Sequence, residues 1–369
     1  MDRGADVPDD AATGVSLSRA FFDDVVAPLL SASLPRLRFG AGRLGTGSDV
    51  LGFDDDVSRD HDWGLRLSLF VPADAVGDVS ALLNDDLSDT FRGLPARFAF
   101  TGESLVRHHV EVTSVREFAV ARLGFDPRDG IDVHDWLSVS GQAALEVTAG
   151  AVFADPAGEL GAVRRALAWY PDDLWRYVLA SDWERIAQEL PLMARAAEVG
   201  DDTGSRIVAA RLSQVAMHLA FLLERTWPPY AKWFGSAFAY LPNAGPVGGS
   251  IAAVLDARNL ATRHRGLGDA LQLLLDRQNA LGLTAVETAL VPFWDRPHLH
   301  PDPAIATQLL DGITDPDVLR LPRGGGSIEQ RTDNVAVLTR PEARRATVRA
   351  PNLNMRISQK LFPWPYRRR

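Results

Sequence analysis

The spacing of apolar residues changes character once along this chain, and that change limits the folds open to it. Up to about residue 125, short alternating runs suited to strands are interleaved with helical spacings; from Val133 to about Leu310 the spacing is helical throughout. This order predicts an α+β protein: an α/β domain with a small mixed sheet, followed by an α-helical bundle. The 369 residues suffice for two or three domains. The expected boundaries are a disordered acidic N-terminus over 1–16, the α/β domain over 17–130, the helical domain over 131–312 and an irregular or short-stranded extension over 313–369.

Within the first part, "SLSRAFFDDVVAPLLSASLP" reads as an amphipathic helix with Ser16 and Ser18 as caps. "RLRFGAGRLG" is a strand leading into the turn Gly45-Thr46-Gly47-Ser48. "HDWGLRLSLFVP" is a strand stopped by Pro72, "VGDVSALLNDDLSDTFRGL" is a helix, and "ARFAFTG" and "RHHVEVTSV" are further strands. "VREFAVARLG" is a helix ended by Gly124.

The net charge of −9 argues against a broad nucleic-acid surface but leaves room for a local basic cleft. The absence of cysteine excludes disulfides, thiolate metal sites and a cysteine nucleophile, and fits a cytoplasmic location. No apolar run is expected to reach the length of a membrane span.

The chemistry concentrates in "GTGSDVLGFDDDVSRDHDWGLRLSLFV". Asp60 and Asp62 are two apart at the mouth of a strand, so an extended backbone projects both to one side, about 6–7 Å apart. Two carboxylates so placed suit Mg²⁺, whose remaining ligands are water and substrate phosphates. Upstream, across eleven intervening residues, Gly47 and Ser48 offer the close backbone approach and hydroxyl that phosphates need. Taken alone, a D-x-D after "DDD" also reads as a solvated turn; the ordered run of strand, Gly-Ser turn and second strand favours the phosphate-metal reading.

Gly47-Ser48 and Asp60-His61-Asp62 resemble the signature of the nucleotidyltransferase superfamily, of which DNA polymerase beta is the best-known member. His61 stands where that signature has an aliphatic residue. A narrower resemblance runs from about residue 40 to 245, strongest in "SRDHDWG" and "PYAKWF". It is to an uncharacterised bacterial family with a nucleotidyltransferase-like N-terminal domain and a helical domain of unknown function. The resemblance implies a Mg²⁺-dependent transfer of a nucleoside monophosphate, with ATP as donor, to a small-molecule or protein hydroxyl. The alternative is a non-catalytic nucleotide-binding or interaction protein on the same fold; a weaker one is a toxin-like enzyme acting on a host protein or tRNA.

The superfamily often carries a third acid on a neighbouring strand, and Glu111 in "HHVEVTS" is the candidate, as metal ligand or general base. It reads equally as an exposed strand glutamate. Arg59 reads as a phosphate contact or a partner of Asp54, Asp55 or Asp56. In "TWPPYAKWF", Tyr230 and Lys232 are candidate nucleotide contacts by resemblance to two-domain antibiotic adenylyltransferases; Lys232 also reads as a lysine lying along Trp227 and Trp233. His108 and His109 are adjacent and cannot chelate one ion from a strand. His298 and His300 lack the partners of a zinc site, and Gly324-Gly325-Gly326 lacks the lysine of a P-loop. The aromatic stretch from Trp169 to Trp183 reads as core or inter-domain seam.

Overall fold

The computed structural model describes residues 13–54, 63–293 and 298–350. The chain forms an α+β protein of two compact units, Met1–Ile131 with Gln142–Ala168, and Asp132–Gly141 with Trp169–Arg369.

The first unit opens with α1 (Gly14–Phe21), a π turn (Phe22–Val26) and α2 (Ala27–Ser33). The helix starts before the expected caps: the Thr13 hydroxyl accepts the Ser16 N–H at 3.1 Å, which places residues 14–16 in regular structure. Ser18, expected as a cap, is buried and donates its hydroxyl to the Arg66 carbonyl at 2.5 Å. The sheet is built from β1 (Gly40–Arg43) and β2 (Arg66–Phe70). After α3 (Val76–Asp86) and the small ladder of β3 (Thr90–Phe91) and β4 (Leu94–Pro95) come β5 (Arg97–Phe98) and β6 (Arg107–Thr113). α4 (Val115–Leu123) follows, starting with a Ser114–Glu117 capping box and ending at Gly124 in the left-handed region, φ +88°.

The helical α5 (Val133–Ser138) belongs to the second unit. The chain then returns through α6 (Gly141–Thr148), β7 (Ala151–Ala154) and α7 (Glu159–Ala166). The sequence reading made "AVF" helical. Gly150, at φ +70°, instead breaks the helix and lets the chain pair with β1, Ala41 opposite Ala154.

The strand order is β5-β6-β2-β1-β7, with β2 and β6 parallel and the other neighbours antiparallel. The sheet is therefore mixed, as expected. Alternation sends Leu67, Leu69 and Val110 into a core with Leu17, Phe21, Val26, Leu30, Val79 and Leu83. The other face carries Arg66, Ser68 and Phe70 beside His109, Glu111 and Thr113. Phe70 packs edge-on against Phe118 of α4 at 5.1 Å, so the polar residues fall at the opposite end of that face.

The second unit is helical around the antiparallel pair α8 (Asp172–Glu198) and α9 (Asp202–Leu223). α10 (Ala231–Phe238), α11 (Ala244–Leu255) and α12 (Leu260–Ala280) follow, then the hairpin β8 (Leu290–Pro292) and β9 (Leu299–Pro301) and α13 (Pro303–Asp311). Trp183 donates its indole N–H to Gln278 at 2.9 Å, and Trp175 to the Leu222 carbonyl at 2.8 Å, so this part of the aromatic stretch is core. By length and hydropathy α9 does suffice to cross a membrane, contrary to expectation; here Leu212, Val215, Leu219 and Leu222 are buried within the unit. Up to residue 350 the region after residue 312 holds no strand among the described residues and mixes short helices with irregular stretches. It forms four short helices, α14 (Pro316–Leu319), α15 (Ile328–Arg331), α16 (Val335–Leu338) and α17 (Pro341–Arg349). Side-chain caps at Asp315 and Asn334, and prolines at the starts of α14 and α17, nucleate these helices locally.

Candidate functional site

The glycine-rich turn after β1 is organised by a residue the sequence reading passed over. Arg43 is buried beneath it. Its Nε and Nη2 donate to the two oxygens of Asp49 at 2.7 and 2.8 Å, and its remaining donors reach the carbonyls of Leu44 and Thr46 at 2.8 and 2.9 Å. One guanidinium thus ties the Asp49 carboxylate to the Leu44 and Thr46 carbonyls. Gly47 sits at φ +141°, and a Cβ there would run into Asp49 and the Arg43 guanidinium, so only glycine fits. Beyond it, the Ser48 carbonyl accepts the N–H groups of Leu51 and Phe53 at 3.1 and 2.8 Å. Asp54 accepts the Gly14 N–H at 2.7 Å, which ties this loop to the start of α1.

A cleft of about 280 Å³ opens beside the turn, over the polar end of the sheet face. It is lined by Arg43, Thr46, Arg66, Ser68, Phe100, Arg107, His108, His109, Glu111 and Arg122, with Leu44, Leu67 and Val110. Arg66 donates to the Thr46 hydroxyl at 3.1 Å and lies over the Phe100 ring at 5.3 Å. His109 stacks on Phe100 at 3.9 Å, while its Nε2 meets the Phe98 carbonyl at 2.9 Å. Burial holds the His109 imidazole below its ordinary value; the Phe98 bond opposes this, and Arg107 and Arg66 add to it. Among the described residues four arginines line the cleft; Arg43 is paired with Asp49, Arg122 with Glu111 and Glu146, and Arg107 with Glu103.

Glu111 projects on the cleft side, opposite Ser68 of β2. Both its oxygens accept from Arg122 Nη2, at 3.1 and 2.9 Å. Arg122 also lies over the Phe118 ring at 3.6 Å and has Nε 3.8 Å from Glu146. Glu146 in turn accepts the Gly45 N–H through its carbonyl at 2.8 Å. The glutamate of the sequence reading is therefore a paired one, joined through Arg122 to the segment that supports the turn.

Asp60, Asp62 and Arg59 lie outside the described residues. Among the described residues, no three His, Asp or Glu side chains come together to hold a metal, and the cleft's one carboxylate is held by Arg122. Of the Gly-Ser pair, neither residue lines the cleft; Thr46, just before it, does. Tyr230 and Lys232 belong to the second unit. Tyr230 is exposed at the start of α10, and Lys232 Nζ lies 4.8 Å from the Trp233 ring centroid. His298 is buried with Nε2 3.0 Å from Glu198, and His300 packs edge-on against Phe293 at 5.2 Å. The residues missed by sequence reading are Arg43, Thr46, Arg66, Ser68, His109 and Arg122.

Residues 136–234 match a family model described as a domain of unknown function (DUF4037). This stretch runs from within α5 into α10. No curated protein matches the chain. Among solved structures, the chain is similar to the nucleotidyltransferase-like protein from Exiguobacterium sibiricum 255-15, at 11% identity over 72% of this chain and 76% of that one. The TM-score is 0.33, too low to define a common architecture.

Proposed function

We propose that the first unit binds a nucleoside triphosphate, ATP in the first instance, and transfers its nucleoside monophosphate to a hydroxyl of a small-molecule or protein acceptor. The observation that carries this reading is the arginine-lined cleft beside a glycine turn, with Thr46 and Ser68 among its lining residues. Arginine forks and hydroxyls of this kind suit the oxygens of a phosphate chain. On this reading Asp60 and Asp62 carry Mg²⁺, which neutralises phosphate charge when bound. Gly47, Ser48 and Arg59 border the phosphates; Tyr230 and Lys232 remain candidate nucleotide contacts on the resemblance alone. The acceptor oxygen attacks the α-phosphorus, pyrophosphate leaves, and rate enhancement comes from positioning and electrostatics.

A second reading, nucleotide binding without catalysis, is favoured by one contact: Glu111, the candidate base, is already engaged by Arg122. Calorimetric titration of each nucleoside triphosphate with Mg²⁺ tests both readings, run on the native chain and on Asp60→Asn/Asp62→Asn. Mg²⁺-dependent binding that the double variant loses supports the site. Pyrophosphate release in an acceptor screen then separates transfer from binding alone. Absence of binding to the native chain removes both readings.

A further inference from the structure

The second unit contains a pocket that the proposed transfer reaction does not use. α11 and α12 approach closely at Gly266, where an added Cβ would meet the Ser250 carbonyl and Val254. Two turns further along α12 the gap is no longer closed. There the last turn of α9, the first turn of α11 and the last two turns of α12 surround a pocket of about 270 Å³. Eight of its twelve lining residues are apolar, among them Ala220, Leu223, Val247 and Leu274, all four buried. The size is at the small end of ligand pockets, which run from about 300 to 1,000 Å³. Apolar lining left against water gains nothing from burial, so an apolar guest is favoured there.

One side of the pocket is charged. Glu224, which follows the last turn of α9 and is largely buried, receives both prongs of Arg277: Nε donates to Oε1 at 2.8 Å and Nη2 to Oε2 at 3.0 Å. Asn243 donates to the same Oε1 at 3.3 Å. Asp276, the neighbour of Arg277, lines the pocket too. It is exposed, accepts from the neutral Gln272 amide at 2.9 Å, and has no cation as partner among the described residues. The lining therefore carries two carboxylates and one guanidinium, and that guanidinium is already paired. The helix ends act in the same sense: the negative C-terminal ends of α9 and α12 reach the pocket, against the single positive N-terminus of α11. A carboxylate or phosphate entering here meets a net negative side, whereas an ammonium meets a complementary one.

We propose that this pocket binds a small organic amine, with an apolar body of a few carbons against Ala220, Val247 and Leu274 and its ammonium on Asp276. The apolar contacts supply most of the affinity, and the exposed carboxylate sets the preference for a cation. The site stands apart from the transfer reading, because every lining residue belongs to the second unit.

NMR titration of the full chain at neutral pH tests this with three probes of equal length: hexylamine, hexanol and hexanoate. Hexylamine is expected to bind saturably and about fivefold more tightly than hexanol, the worth of one exposed ion pair, with hexanoate weakest. Amide shift changes are expected around Ala220, Val247 and Leu274. Asp276→Asn, a change at an exposed position, should bring hexylamine down to the affinity of hexanol and leave hexanol as it was. The proposal is overturned by the absence of saturable hexylamine binding, or by hexylamine binding no more tightly than hexanol or hexanoate. Shift changes confined to other residues overturn it as well, as does a preference for the amine that persists in Asp276→Asn.

Discussion

Arg43 and Asp49 form a two-pronged ion pair beneath the glycine turn, at 2.7 and 2.8 Å, with both side chains buried. The pair sets where the turn sits relative to β1 and β2, and so where the cleft opens. Removing one member strands the other charge away from water, which costs about 3–5 kcal/mol for a buried pair. Arg43→Met and Asp49→Asn should each lower the unfolding free energy measured by urea titration by that order. Both losses should exceed that of the exposed pair between Arg92 and Asp24, which is worth about 1 kcal/mol or less.

Gly47→Ala should be more damaging than its size suggests. The positive φ is unfavourable for any L side chain, and the new methyl would displace the Arg43–Asp49 pair. Gly52→Ala is the control: it has a positive φ of +76° but open space around its Cβ. Thermal unfolding should show a larger loss for Gly47→Ala, the difference being the cost of the clash.

Arg122→Ala leaves Glu111 and Glu146 without their shared cation. Since Glu111 is nearly half exposed, solvent screens much of the interaction, and about 1 kcal/mol is expected from the charge pair. The effect should shrink at high salt. If transfer is the activity, Glu111→Gln should reduce pyrophosphate release while nucleotide binding persists; equal loss of both would assign Glu111 to binding.

His109 should titrate below 6.5, because burial and nearby arginines disfavour its charged form. A depressed imidazole contributes stability above pH 6.5 that is lost as pH falls through its folded value. An NMR titration of the ring proton should show the low midpoint. Phe100→Ala, which uncovers the ring face now stacked at 3.9 Å, should bring it back toward 6.5.

The capping box at Ser114 is readable from "SVRE" alone. Ser114→Ala should cost about 1 kcal/mol, measured as a shift in the unfolding midpoint.

The sequence by itself determined the α+β class, the mixed sheet followed by helices, and most of the strands and helices of the first unit, because periodicity and caps act over a few neighbouring residues. Gly124 ends α4 for a reason local to one dihedral angle. The tertiary structure decided the rest. That "AVF" becomes β7 depends on β1 offering an unpaired edge, a partner distant in sequence. That Glu111 is engaged depends on Arg122, which reaches it only because α4 folds back over the sheet. Arg43 carried no signal in the sequence; burial with Asp49 makes it the centre of the turn. Such pairings are set by which faces meet, and local spacing carries no record of that.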